Sequence, residues 1–235
     1  VRVPVYLPIM LDCEGQRCVV IGGGIVAERK VLGLLETSAE VTVISPDLTP
    51  RLSELAEKLG TGYSGENDEP IELTKQGRLT WLTRCYVPGD ARGAFLVYAA
   101  SNDRAVNEAV AHEARSLGIP VNVVSHAEAG SFITPGVLRR GRLTVAISTS
   151  GAGPSAAGQI KSLLEEVLGA EYELYLEFLH KMRTEIKLRE AASEVRGRLL
   201  SKLGTLDVLN EIRQGTFTEW TPEFIDGWIA ANRER

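Results

Sequence analysis

Through the first half of the chain, short apolar runs alternate with longer stretches in which apolar residues recur every three or four positions. The runs Cys18–Ile21, Val41–Ser45, Leu79–Tyr86, Ala94–Ala100 and Val121–Val124 are rich in β-branched residues and predict strands. Ala94–Ala100 is almost continuously apolar, as a buried parallel strand would be. Val26–Leu35 and Leu48–Leu59 carry helical spacing, and Asp103 is placed to cap a helix that runs to about Leu117. Gly60–Pro70, with Gly62, Gly65 and Asn67, predicts a polar loop. Strands separated by helices of this length imply an α/β fold with a parallel, doubly wound sheet.

Past Ser125 the pattern changes. Ser131–Leu138 and Leu143–Ser148 predict two short strands joined by Arg139, Arg140, Gly141 and Arg142. Thr149–Pro154 is a loop of small residues entering a helix, with Pro154 suited to the first turn. From Ser155 onward the pattern is almost wholly helical. Leu174, Phe178 and Met182 fall at i, i+4 and i+8 and predict one buried stripe, and the charged residues from Glu171 to Arg198 its solvated face. The expected division is a sheet domain over residues 1–125, a central segment over 126–150 and a helical domain over 151–235.

Composition narrows the function. At 235 residues the chain can bury one full core and a smaller second one. A formal charge of −5 argues against a general nucleic-acid binder. With no apolar run of membrane-spanning length and no leader pattern, a cytoplasmic location is expected, with no membrane partner. Cys13, Cys18 and Cys85 lack metal-ligand spacing. Cys18 and Cys85, placed in strands, read as small hydrophobes. His112, His126 and His180 are scattered, and only His126 falls in a segment with a functional pattern.

That leaves the turn after the first strand. Gly22-x-Gly24-x-x-Ala27 has dinucleotide-binding spacing, and its small residues allow a tight turn, backbone approach to a diphosphate and close helix–strand packing. The N–H groups that open the helix, and its dipole, favour an anion there. In doubly wound sheets ligands sit outside the carboxyl ends of the strands. The expected cofactor wall is therefore Gly22, Gly23, Gly24, Ile25 and Val26, then Ser45, Pro46 and Asp47, then Ala100, Ser101, Asn102 and Asp103. Asp47 lies about twenty residues past the glycines, where an acid meets the ribose hydroxyls, through its carboxylate or its backbone. A carboxylate there disfavours a 2′-phosphate, and no Arg lies between Ser45 and Leu48, so NAD is expected over NADP.

Beyond these features the chain resembles the siroheme-synthase N-terminal family of precorrin-2 dehydrogenases and bifunctional dehydrogenase/ferrochelatases. The resemblance is carried by Leu7-Pro8-Ile9, by Val20–Lys30 with its Val26-Ala27-Glu28-Arg29-Lys30 ending, and by Ala99–Asp103 with Asn107. It continues through Asn122-Val123-Val124, Ser131-Phe132-Ile133-x-Pro135, Val145–Gly151 and Gly153-Pro154, and thins from about Lys161. It implies a Rossmann-like domain, a small β dimerisation segment and a C-terminal helical domain, assembled as a homodimer. It also implies NAD-dependent oxidation of precorrin-2, an anionic tetrapyrrole, to sirohydrochlorin, with Fe2+ or Co2+ insertion in bifunctional members. Ile25-Val26 and Pro46-Asp47 match the family's NAD-lining positions.

Arg139, Arg140, Arg142 and Lys161 are suited to substrate carboxylates, though the arginines also read as a solvated basic turn. Ser148, Thr149, Ser150 and Gly151 supply a small-residue rim for the same substrate. One position departs from the family. Bifunctional members read Asn-Val-Val-Asp, with the Asp implicated in both reactions; here Ser125 takes its place and His126 follows. Serine is no base at neutral pH without activation, whereas an imidazole titrates near it. Ser125 and His126 are the catalytic candidates, with Asp103 or solvent as the other proton acceptor. The loss of the Asp weakens chelation more than dehydrogenation. A non-catalytic NAD-sensing module is the reading from a different functional class.

Overall fold

A computed structural model describes residues 5–59 and 77–233. The loop expected over Gly60–Pro70 lies outside the described residues. Contacts divide the chain into a unit ending at Thr134 and one starting at Pro135.

The first unit is a five-stranded parallel sheet in the order β3-β2-β1-β4-β5. Its strands are β1 (Arg17–Ile21), β2 (Glu40–Ile44), β3 (Arg78–Leu82), β4 (Leu96–Ala99) and β5 (Val121–Val123). The helices are α1 (Ile25–Leu35), α2 (Pro50–Leu59) and α3 (Arg104–Ser116). The pleat sends alternate residues of β1 to opposite faces. Cys18 and Val20 join Val31, Leu34 and Leu52 in one core, while Val19 and Ile21 join Val110, Ala111 and Ala114 in the other. A side chain buried in this way contributes about 2 kcal/mol. Asp103 caps α3 as the sequence predicts, its carboxylate accepting from Ala105 N at 2.8 Å.

Two predicted strands are shorter in the structure. The segment after Leu82 leaves the ladder because Arg84 pairs with Asp90 (2.6 Å) and Asp90 also accepts from Val87 N, closing a turn. Cys85, expected in a strand as a small hydrophobe, is therefore exposed, whereas Cys13 and Cys18 are buried. The segment from Ser131 is also not the start of a hairpin strand. Ser131 Oγ accepts from Val121 N at 2.8 Å, and Asn122 Nδ2 donates to Phe132 O at 2.9 Å. Ser131 and Phe132 thus lie along β5 and occupy backbone groups of the sheet's edge strand.

The second unit opens with an antiparallel hairpin, β6 (Gly136–Arg140) and β7 (Leu143–Ile147). Its connection is the two-residue turn Gly141-Arg142, with Gly141 at φ 51° as a tight hairpin turn requires. Arg139 and Arg140, expected in the link, are strand residues facing Thr144 and Leu143. The helices α4 (Pro154–Val167), α5 (Glu171–Arg189), α6 (Ser193–Leu203), α7 (Val208–Gln214) and α8 (Pro222–Asn232) follow. Phe178, Met182 and Ile186 of α5 pack with Leu199, Leu203, Ile225 and Ile229. Leu174, expected in this stripe, is 60% exposed. An i+4 repeat drifts about 40° around a helix at each step, so the buried face runs through Tyr175 instead. Among the charges expected on the solvated face, Glu190 is buried at 4% exposure. No helix among the described residues is long and apolar enough to cross a membrane.

Candidate functional site

At the carboxyl edge of the sheet three loops enclose a cleft of about 370 Å³, lined by Gly22–Gly24, Ser45–Thr49 and Ala100–Asn102. Its position follows from topology. β1 lies at the centre, with β2 on one side and β4 on the other, so the loops after the three strands meet where the strand order reverses.

Each glycine has a different reason to lack a side chain. Gly22 has φ 114°, and a Cβ on it would lie 2.4 Å from Ala100 O. A Cβ on Gly23 would lie 2.0 Å from Asp47 O. Gly24 is the residue before α1, with extended backbone and nothing within 4 Å of where its Cβ would be. The open space is therefore at the helix N-terminus, where unpaired N–H groups and the helix dipole favour a diphosphate. A nicotinamide dinucleotide fits this cradle. Ala27, the third small position, is fully buried against the sheet.

The second wall is tied down at several points. Ser45 is buried, and its carbonyl accepts from Trp81 Nε1 at 2.9 Å. Pro46 and Asp47 are exposed beyond the end of β2. Thr49 N donates to Gly23 O at 3.0 Å, joining this wall to the glycine turn. On the third wall, Asn107 of α3 is 1% exposed and holds Ser101 by both backbone groups. Its Oδ1 accepts from Ser101 N at 3.0 Å and its Nδ2 donates to Ser101 O at 2.8 Å. Those two bonds fix the orientation of the amide, so its remaining contact, Nδ2 to Ser125 Oγ at 3.4 Å, is a donation to the serine. A neutral amide accepts no proton, and nothing in this contact makes Ser125 more basic. His126, also exposed, begins the turn that follows, its carbonyl accepting from Ala129 N.

Of the residues expected at the cofactor, Gly22, Gly23, Gly24, Ser45, Pro46, Asp47, Ala100 and Ser101 line the cleft. Ile25, Val26 and Asp103 do not line it; Asp103 is engaged as the cap of α3. Asn102, from the expected third wall, lines it too, and Leu48 and Thr49 line it without having been anticipated. Thr49 was readable, since a threonine directly before a proline marks a helix start.

The residues expected to meet substrate belong to the second unit. Arg139 donates to Thr144 Oγ1 at 3.1 Å, and Arg140 to the carbonyls of Leu168 and Arg139. Arg142 pairs with Glu177 at 2.7 Å and Lys161 with Glu165 at 3.6 Å. Ser148 Oγ accepts from Ser150 N, and Ser150 and Gly151 both have positive φ, giving the loop before α4 a sharp bend. Among the described residues no three His, Cys, Asp or Glu side chains cluster as metal ligands would.

Comparison with known proteins agrees with this geometry. A family model described as "Putative NAD(P)-binding" matches residues 9–136. A siroheme synthase of Methylobacillus flagellatus is 36% identical over 191 residues, 81% of this chain and 37% of that protein. One of Nitrosospira multiformis is 34% identical over 214 residues, 91% of this chain and 40% of that protein. The chain thus spans two-fifths or less of the length of these relatives. A solved structure named SirC, precorrin-2 dehydrogenase, superposes with a TM-score of 0.70 at 25% identity, covering 98% of this chain and 100% of that one. With this cleft, this family model and these relatives, the chain belongs to the siroheme-synthase N-terminal, NAD(P)-binding family.

Proposed function

We propose that the protein is an NAD-dependent precorrin-2 dehydrogenase that makes sirohydrochlorin. The observation that carries the reading is the glycine cradle at the switch point of the sheet, in a chain alike over its whole length to a protein named as a precorrin-2 dehydrogenase. When bound, the nicotinamide supplies the hydride acceptor. The open N–H groups at Gly24 hold the diphosphate, and Asp47, an exposed carboxylate on the second wall, takes the ribose hydroxyls and repels a 2′-phosphate. This supports NAD over NADP.

Arg139, Arg140, Arg142 and Lys161, with Ser148–Gly151, take the carboxylates of the tetrapyrrole. At Arg142 and Lys161 a substrate carboxylate replaces Glu177 or Glu165, exchanging one ion pair for another, so those two contribute more to selectivity than to affinity. The proton lost with the hydride passes to His126 or to solvent, and Ser125 contributes a hydrogen bond. Two copies form the working unit, a reading supported by the apolar residues Ile160, Leu163 and Val167, exposed on one side of α4. Fe2+ and Co2+ enter only as candidate substrates of a second step.

An anaerobic assay tests the reading. With precorrin-2 and NAD, NADH and sirohydrochlorin absorbance should rise together, and more slowly when NADP replaces NAD. Adding Fe2+ or Co2+ afterwards should leave metal insertion at its uncatalysed rate. Tight NAD binding with no turnover and no affinity for the tetrapyrrole would instead identify a cofactor sensor.

A further inference from the structure

We infer that Glu28 is a positioning residue for the cofactor: through Thr49 it holds the adenosine-side wall of the cleft against the glycine turn. The inference rests on the proposed dinucleotide site. Glu28 lies in the first turn of α1, the helix whose N-terminus would receive the diphosphate. A carboxylate there stabilises the helix dipole but repels an anionic ligand, so the site carries a charge opposed to its own task. The contacts of Glu28 account for it. Its Oε2 accepts from Thr49 Oγ1 at 2.5 Å, and the side chain is only 16% exposed.

Thr49 is the hub of the wall. Its hydroxyl donates to Glu28 and accepts from Leu52 N at 3.3 Å, which caps α2. Its own N–H donates to Gly23 O at 3.0 Å. Thr49 and its neighbours Pro46, Asp47 and Leu48 line the cleft, and Asp47 O would lie 2.0 Å from a Cβ on Gly23. The glycine turn and the wall are therefore packed together with no slack, and Glu28 is the side chain that ties Thr49 to α1. Arg51, at 3.8 Å from Glu28, offsets part of the negative charge. In dinucleotide folds the wall after the second strand takes the adenosine ribose, so the residue acts on that half of the ligand.

Two effects predict opposite signs. Were Glu28 only an electrostatic feature of the helix, removing its charge would tighten an anionic ligand. If it positions Thr49, removing it loosens the wall and weakens binding. Calorimetric titration of the full chain with NAD and with ADP-ribose, which lacks the nicotinamide, separates them. Glu28→Ala and Thr49→Val should each weaken both ligands by about tenfold and by similar factors. Glu28→Gln and Thr49→Ser, which keep an acceptor and a hydroxyl, should stay within about threefold of the wild type.

Unchanged or tighter binding by Glu28→Ala overturns the proposal, and so does a loss seen with NAD but not with ADP-ribose. Should Glu28→Ala fail to fold, Thr49→Val carries the same test, since Leu52 N then loses only a cap. If the wild type itself binds neither ligand, the cofactor reading falls first and the proposal falls with it.

Discussion

At Gly22 the backbone has φ 114° and a Cβ would meet Ala100 O at 2.4 Å, whereas at Gly24 φ is −81° and the corresponding space is open. The two substitutions to alanine should therefore fail differently. Gly22→Ala adds a side chain in a strained conformation against backbone and should cost about 2 kcal/mol or more of stability, with cofactor affinity lost as a consequence. Gly24→Ala suits its backbone and touches nothing, so its melting temperature should stay close to the wild type's. Its methyl group stands in the proposed diphosphate site, and affinity for NAD should fall by about a hundredfold. Thermal melts beside calorimetric titrations read both quantities. Equal affinities for wild type and Gly24→Ala would remove the diphosphate from the α1 N-terminus. The spacing Gly22-x-Gly24-x-x-Ala27 was legible in the sequence because the turn is local. The duties of Gly23, Thr49 and Glu28 at the wall were not, because each depends on a partner brought close only by the folded sheet: Asp47, Gly23 and Thr49.

Among elements, the ones best read from sequence were those whose periodicity is enforced on both sides. β1 and β4 are buried along their length, so continuous apolar runs mark them within a residue or two. The segment after Leu82 misled because apolar content does not show an Arg84–Asp90 turn, and Leu174 misled because a three-point stripe does not fix helical phase. Glu190 is the most instructive case. It ends α5, and its Oε1 accepts from Ala192 N at 2.9 Å, just before α6. Its Oε2 accepts from Arg233 Nε at 2.7 Å, just after α8. One buried carboxylate thus joins three helices. The Arg233 guanidinium and the backbone N–H bonds hold its pKa below the usual carboxylate range. A carboxyl whose folded pKa is depressed stabilises above its unfolded pKa, and that contribution is lost as pH falls through the folded value. Glu190→Gln should therefore melt a few degrees below the wild type at neutral pH, with the gap closing in acid below the carboxylate range. A gap of constant size across that range would mean that the charge of Glu190 contributes nothing.

On the scale of the whole molecule, the proposed binding site and the proposed assembly face fall on different parts of the chain. Among the described residues, those lining the cleft run from Gly22 to Asn102 and belong to the first unit. The apolar side of α4 belongs to the second, where Ile160, Leu163 and Val167 are 42%, 61% and 64% exposed at i, i+3 and i+7. Three large apolar side chains in one row are a costly surface to leave in water, at about 25 cal/mol for each Å² that a second copy would cover. A charge in the middle of the row should remove that gain and leave an unpaired carboxylate in any interface. Sedimentation velocity at micromolar concentration should give a dimer for the wild type and a monomer for Leu163→Glu, with unchanged helix content by circular dichroism. A monomeric wild type would withdraw the dimer from the proposed function. The variant also separates the two stages of the reaction. Because the residues that line the proposed dinucleotide cleft belong to the first unit, the monomer should keep the wild type's NAD affinity. Turnover of precorrin-2 should fall if the second copy completes the substrate site. A monomer that turns over at the wild-type rate would show that a single chain suffices for both.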